Sequence, residues 1–126
     1  LEQLPGRAGR AFSVERDKLV PVISQFSHYQ DFCFCHNDLS FAHLVGASRS
    51  KVVDWEYAAT GNRYFDMAAC VLINELSPQQ RSQLCHVYAQ QTGKLGSRVE
   101  EGVEAFLPVV DFTNRLWTAA AAQNPA

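Results

Sequence analysis

Two short segments hold the residues of this sequence best suited to chemistry: Cys35-His36-Asn37-Asp38-Leu39, and Lys51-Val52-Val53-Asp54-Trp55-Glu56, whose aspartate lies sixteen positions after Asp38. An aspartate just after a strand, in a loop, can turn its carboxylate into a cleft and meet a hydroxyl proton. A second aspartate closing an aliphatic run offers a rigidly held oxygen ligand, the donor type that Mg²⁺ requires. Together they have the layout of a phosphoryl-transfer site, in which one carboxylate meets the attacking hydroxyl and the other holds the metal on nucleotide phosphates. His36, at the same strand end, can brace the loop through its ring nitrogens. Each aspartate also has a plainer reading as a turn-capping side chain; their order and spacing favour chemistry.

The elements that must position these residues follow from periodicity and punctuation. Residues 1–12, with Pro5, Gly6 and Gly9, read as a connection. Ser13 is expected to cap a helix from Val14 to about Phe26, with Glu15 in its first turn and an apolar stripe of Leu19, Val20, Val22, Ile23 and Phe26. Phe32–Cys35 is a β-prone run ending at His36. His43–Val45 and Lys51–Val53 read as two further strands joined by the turn over 46–50. Residues 32–54 are thus expected to form a hairpin region that carries Asp54 back towards Asp38.

The remainder reads as helical. A small-residue loop over 58–63 precedes a helix from about Phe65 to Glu75. Ser77-Pro78-Gln79-Gln80 is a capping box with proline at the first helical position, and that helix is expected to end at Gly93. Ser97-Arg98-Val99-Glu100 opens a last segment towards Ala122, which Pro108 should kink or divide. The predicted class is α+β, mainly helical with a small catalytic β-hairpin, and residues 1–126 form one domain.

Composition narrows the partners. At 47% hydrophobic and 19% charged residues the chain is an ordinary globular one. A net charge of -2 gives no electrostatic case for nucleic acid or an anionic membrane surface. No apolar run approaches the ~20 residues of a membrane span. The chain opens on Leu1 with no leader pattern, which reads as a fragment of a cytoplasmic protein. Cys33, Cys35, Cys70 and Cys85 are expected as reduced, core-like thiols.

The motifs also carry a resemblance. His36-Asn37-Asp38-Leu39, with Asp54-Trp55-Glu56-Tyr57-Ala58 and the downstream Gly61-Asn62-Arg63-Tyr64-Phe65-Asp66-Met67-Ala68, resembles the choline/ethanolamine, thiamine and aminoglycoside kinase group. The likeness covers about residues 28–90. It implies the C-terminal lobe of a protein-kinase-like fold, with ATP and a small alcohol as substrates and Mg²⁺ as cofactor. By that resemblance Asp38 is the catalytic base or hydroxyl-orienting residue, His36 its brace and Asp54 the principal metal ligand. Asp66 is expected to cap and tether the loop.

Two departures bear on activity. His43 stands where the group places a metal-binding asparagine, five residues after Asp38, so it inherits that position with a donor better suited to transition metals than to Mg²⁺. The group's ATP-binding N-terminal lobe, with its phosphate-covering loop and strand lysine, has no counterpart here: Lys18, the one lysine before the catalytic loop, falls on a predicted helix. The chain alone is expected to be inactive and to self-associate through the exposed lobe interface. Glu56, Trp55 and Tyr57 are the candidate substrate-binding residues. Glu56 would favour a cationic alcohol, and Trp55, Tyr57, Tyr64, Phe112 and Trp117 could supply an aromatic cage. Two other readings stay open: a non-catalytic pseudokinase-like binding domain, and a zinc-binding interaction module drawing on Cys33, Cys35, His36, His43, Cys85 and His86.

Overall fold

The computed structural model describes residues 6–123. Helix α1 spans Gly6–Gln25, and a 3₁₀ turn at Tyr29–Asp31 leads into strand β1, Phe32–Cys35. After a loop over residues 36–40 and a second 3₁₀ turn at Phe41–His43 come β2 (Leu44–Val45), β3 (Lys51–Val52) and β4 (Ala59–Asn62). Three helices complete the chain: α2 (Arg63–Ile73), α3 (Pro78–Thr92) and α4 (Gly96–Gln123). The class is α+β and mainly helical, as expected. Among the described residues no helix is long and apolar enough to cross a membrane.

The strand pairing corrects the expected hairpin. β1 pairs antiparallel with β4, Phe32 opposite Asn62 and Cys35 opposite Ala59. Only β2 and β3 form the anticipated hairpin, with Leu44 opposite Val52. Ala59-Thr60-Gly61-Asn62 carries little intrinsic strand preference and reads locally as a loop; it is a strand because β1 offers it a ladder, a case of pairing overriding propensity. His43 lies in the 3₁₀ turn rather than in a strand. The turn between β2 and β3 needs Gly46, whose φ of 95° a side chain would strain.

Helix boundaries differ where packing outweighs local signals. α1 starts well before Ser13, because Arg7, Ala8, Arg10 and Ala11 are good helix formers and extend the turn backwards. Pro5, read as part of a connection, lies outside the described residues. Pro108 does not divide α4: the helix runs unbroken through it, with Val109 and Val110 buried just beyond. That burial offsets the missing hydrogen bond. The box at Ser77 forms as expected, its hydroxyl accepting from Gln80 N–H and the Gln80 side chain accepting from Ser77 N–H. Gly93 closes α3 in the left-handed region.

The core is a helical one. Tyr64, Met67, Ala68 and Val71 of α2 meet Cys85 and Ala89 of α3 and Val99, Val103, Phe106 and Val110 of α4, with Phe26 closing one end. Tyr64 is fully buried beneath Gly102, where a Cβ would come within 2.4 Å of the tyrosine ring. Arg98 then ties the first turn of α4 to the strand side: it pairs with buried Asp31 at 3.0 Å and lies over the Phe26 ring.

Candidate functional site

The loop over residues 36–41 lies along α2 and is fastened at two points. Asp66, in the first turn, accepts from the backbone N–H of Asn37 at 2.8 Å and of His36 at 3.2 Å. Asn74, at the C-terminal end, accepts from Phe41 N–H at 2.8 Å and donates to Leu39 O at 3.0 Å. The tethering role expected of Asp66 is what the structure shows, though the N-cap of α2 is Asn62, whose side chain accepts from Tyr64 and Phe65 N–H. Asn37 takes φ 71°, a left-handed conformation that asparagine tolerates, and its amide donates to Tyr57 O at 2.9 Å.

His36 joins the two acidic segments. It is buried; its Nδ1 accepts from Asp38 N–H at 3.2 Å and its Nε2 lies 2.9 Å from Val53 O. Since the first partner is a donor and the second an acceptor, the ring is the neutral tautomer with hydrogen on Nε2. One imidazole therefore spans from the amide of Asp38 to the peptide group that precedes Asp54. Trp55 packs over it with ring centroids 4.7 Å apart, stacks on Phe34, and donates its indole N–H to Val52 O.

His43 is placed against Asp54. Its Nδ1 accepts from Ser40 N–H at 3.3 Å, which leaves the hydrogen on Nε2, 3.4 Å from an Asp54 carboxylate oxygen. Asp54 itself takes φ 60° at the end of the hairpin, and its side chain is 65% exposed. Such a carboxylate fits Mg²⁺, which keeps much of its water and binds through one or two carboxylates plus substrate phosphates. His43 does not offer a free lone pair to the same ion. Among the described residues no three of His, Cys, Asp and Glu converge as metal ligands, so Cys33, Cys35, Cys85 and His86 do not assemble a zinc site.

A cleft of about 440 Å³ opens beside the loop over residues 36–41, lined in part by Asn37 and Asp38. Tyr57 and Trp117 line it too, whereas Trp55 and Glu56 are not among its lining residues. Tyr64 is in the core and Phe112 is buried against Phe12. The aromatic residues singled out in the sequence are thus divided between core, loop support and cleft. Asn74 and the cleft-lining Asn114 of α4 were not foreseen. The loop partners of Asn74 lie more than thirty residues away in sequence, and an asparagine after an apolar helix signals no more than a cap.

The thiols are packing groups. All four are free, and Cys33 and Cys35 share the inner face of β1 with their sulfurs 3.8 Å apart. Burial, with the Asp66 carboxylate and Cys33 nearby, pushes the Cys35 thiol up to about 12. That makes it a poor nucleophile at neutral pH.

A profile of the phosphotransferase enzyme family matches residues 2–101, and the chain belongs to that family. The kinase-like reading of its α+β fold stands with it. No curated protein and no solved structure matches the chain.

Proposed function

From membership of the phosphotransferase enzyme family, we propose that this chain is the catalytic and acceptor-binding lobe of an ATP-dependent phosphotransferase acting on the hydroxyl of a small alcohol. The observation that carries the reading is the His36 bridge. It fixes the backbone of Asp38 relative to that of Asp54, which preorganises an oxygen acceptor beside the cleft and an exposed carboxylate at the hairpin end.

In the proposed reaction the acceptor hydroxyl donates a hydrogen bond to the Asp38 carboxylate, which aims its oxygen at the γ-phosphorus of ATP. The new O–P bond forms as the bond from phosphorus to the β-phosphate bridging oxygen breaks. ADP departs and Asp38 takes the proton. Mg²⁺, when bound, neutralises charge on the phosphate oxygens; Asp54 would hold it. His43 keeps Asp54 oriented through Nε2–H rather than entering the shell itself. The phosphates are clamped by a nucleotide-binding lobe outside these residues, and the exposed apolar surface of Phe32, Phe34 and Trp55 is a face for that lobe. Alone, the chain does not turn over ATP.

The engagement of both His43 nitrogens also favours a second reading, in which the fold binds its ligand without chemistry. Phosphoryl transfer assayed in the protein supplied with its nucleotide-binding lobe separates the two. On the first reading Asp38→Asn loses turnover by about 10²-fold or more. On the second, neither wild type nor variant transfers phosphate.

A further inference from the structure

We propose that Asn37 is a positioning residue for the acceptor: through Tyr57 it fixes one wall of the cleft that Asp38 lines, and it does so independently of the Asp54 end of the same segment. This rests on the reading of Asp38 as the residue that meets the acceptor hydroxyl. Two consecutive side chains reach from the loop over residues 36–41 to the segment between β3 and β4. His36 Nε2–H donates to Val53 O and the Asn37 amide donates to Tyr57 O, each at 2.9 Å. The two ends of the segment are not held alike. Near Asp54, Val53 N–H also donates to His43 O at 3.0 Å, and Trp55 both bonds Val52 O at 2.8 Å and packs over His36. Past Trp55 there is the local turn bond from Ala58 N–H to Trp55 O at 3.0 Å. Among the described residues no side chain other than Asn37 hydrogen-bonds to Glu56, Tyr57 or Ala58. Tyr57 is 62% exposed, so little packing takes the place of that bond.

Asn37 can serve as a tether because it is itself fixed. Asp66 accepts from its N–H at 2.8 Å, and its φ of 71° is a left-handed conformation that asparagine tolerates. Asn37, Asp38 and Tyr57 all line the cleft. The residue before Asp38 therefore sets where the Tyr57 wall stands relative to the carboxylate. Tyr57 would touch the body of the acceptor and not the reacting atoms, so its contact is the same before and during transfer. Loosening it weakens acceptor binding and leaves the chemical step alone, which is the signature of uniform binding.

Two variants test it. Asn37→Gly keeps the left-handed backbone and removes the amide, and Asn37→Asp keeps the backbone but sets an acceptor against the Tyr57 carbonyl. Nitrogen-15 relaxation is measured first on the 126-residue chain. In both variants the order parameter of the Tyr57 N–H is expected to fall from the rigid value of about 0.85 towards about 0.6, while those of Asp38, Asp54 and Trp55 hold. Phosphoryl transfer is then assayed in the chain supplied with a nucleotide-binding lobe, with choline, ethanolamine, thiamine and kanamycin offered as acceptors. Asn37→Gly should raise the acceptor KM about three- to tenfold, with kcat within about twofold of wild type and the Mg²⁺ requirement unaltered. A Tyr57 as rigid in both variants as in wild type would overturn the inference. So would a fall in kcat at unchanged KM, which would make Asn37 a support for Asp38 instead. Transfer to none of the four by wild type would count against the catalytic reading, and the relaxation of Tyr57 would still decide the tether.

Discussion

The helical half, residues 63–123, and the strand-and-loop half, residues 26–62, are stabilised by different forces. The first buries Tyr64, Val99, Val103 and Phe106 in a continuous apolar core. The second has four short strands in two separate sheets, and leaves Phe34 and Trp55 largely exposed. What orders it is a set of directional bonds from side chain to backbone: Asp66, Asn74, His36 and Asn62 each hold a segment distant in sequence. Close packing resists even an added methyl group but fixes no single bond direction, whereas the loop backbone is held by individual bonds of defined direction. The division therefore puts the geometry under polar control and the stability under hydrophobic control.

Overpacking the helical half should give the largest change in stability. Gly102→Ala drives a methyl group into the Tyr64 ring and should cost about 1–3 kcal/mol, lowering the melting temperature by roughly 5–10 °C. Thermal unfolding followed by circular dichroism measures it. An unchanged melting temperature would mean that α2 and α4 separate freely, contrary to a packed core. The loop bonds should answer differently. Asp66→Ala leaves two backbone N–H groups without their acceptor and should cost about 1–2 kcal/mol. Its mark is faster hydrogen exchange at His36 and Asn37, while the amides of α4 stay protected. Uniform loss of protection would erase the distinction between the halves.

Asn74→Ala should act in the same sense and less strongly, raising exchange at Phe41 N–H. The smallest effect at neutral pH concerns Cys35. Its thiol is neutral in the native state up to about 12 against an ordinary 9.0, so its contribution is complete below pH 9. It is lost as pH rises from 9 towards 12, because the unfolded chain ionises first. Denaturant titrations across that range should show the decline, and Cys35→Ala should flatten it. At pH 8, iodoacetamide should label partly exposed Cys33 and spare Cys35.

The same contrast governs how much could be read from the chain. The capping box at Ser77 and the stop at Gly93 depend on neighbours a few residues away, and both were legible. Membership of the phosphotransferase family was legible too, from the order and spacing of the acidic segments. β4 was not: Ala59-Thr60-Gly61-Asn62 becomes a strand only because β1 is there to pair with it. The continuity of α4 through Pro108 likewise comes from tertiary burial. In the candidate site, Asp38 and His36 stand out by motif, but the orientation of His43 towards Asp54 and the hold of Asn74 on the loop depend on contacts that no local pattern encodes.

The central claim is that His36 couples two carboxylates into one phosphoryl-transfer site, with Asp38 serving the acceptor and Asp54 the metal. The most direct measurement is transfer of labelled γ-phosphate to an alcohol, at varied Mg²⁺, by the chain supplied with a nucleotide-binding lobe, for wild type, Asp38→Asn and Asp54→Asn. The account predicts that Asp38→Asn loses turnover by about 10²-fold or more at every Mg²⁺ concentration, and that Asp54→Asn slows the reaction and raises the Mg²⁺ needed for half-maximal rate. Near-normal rates in both variants, with an unaltered Mg²⁺ requirement, would contradict it.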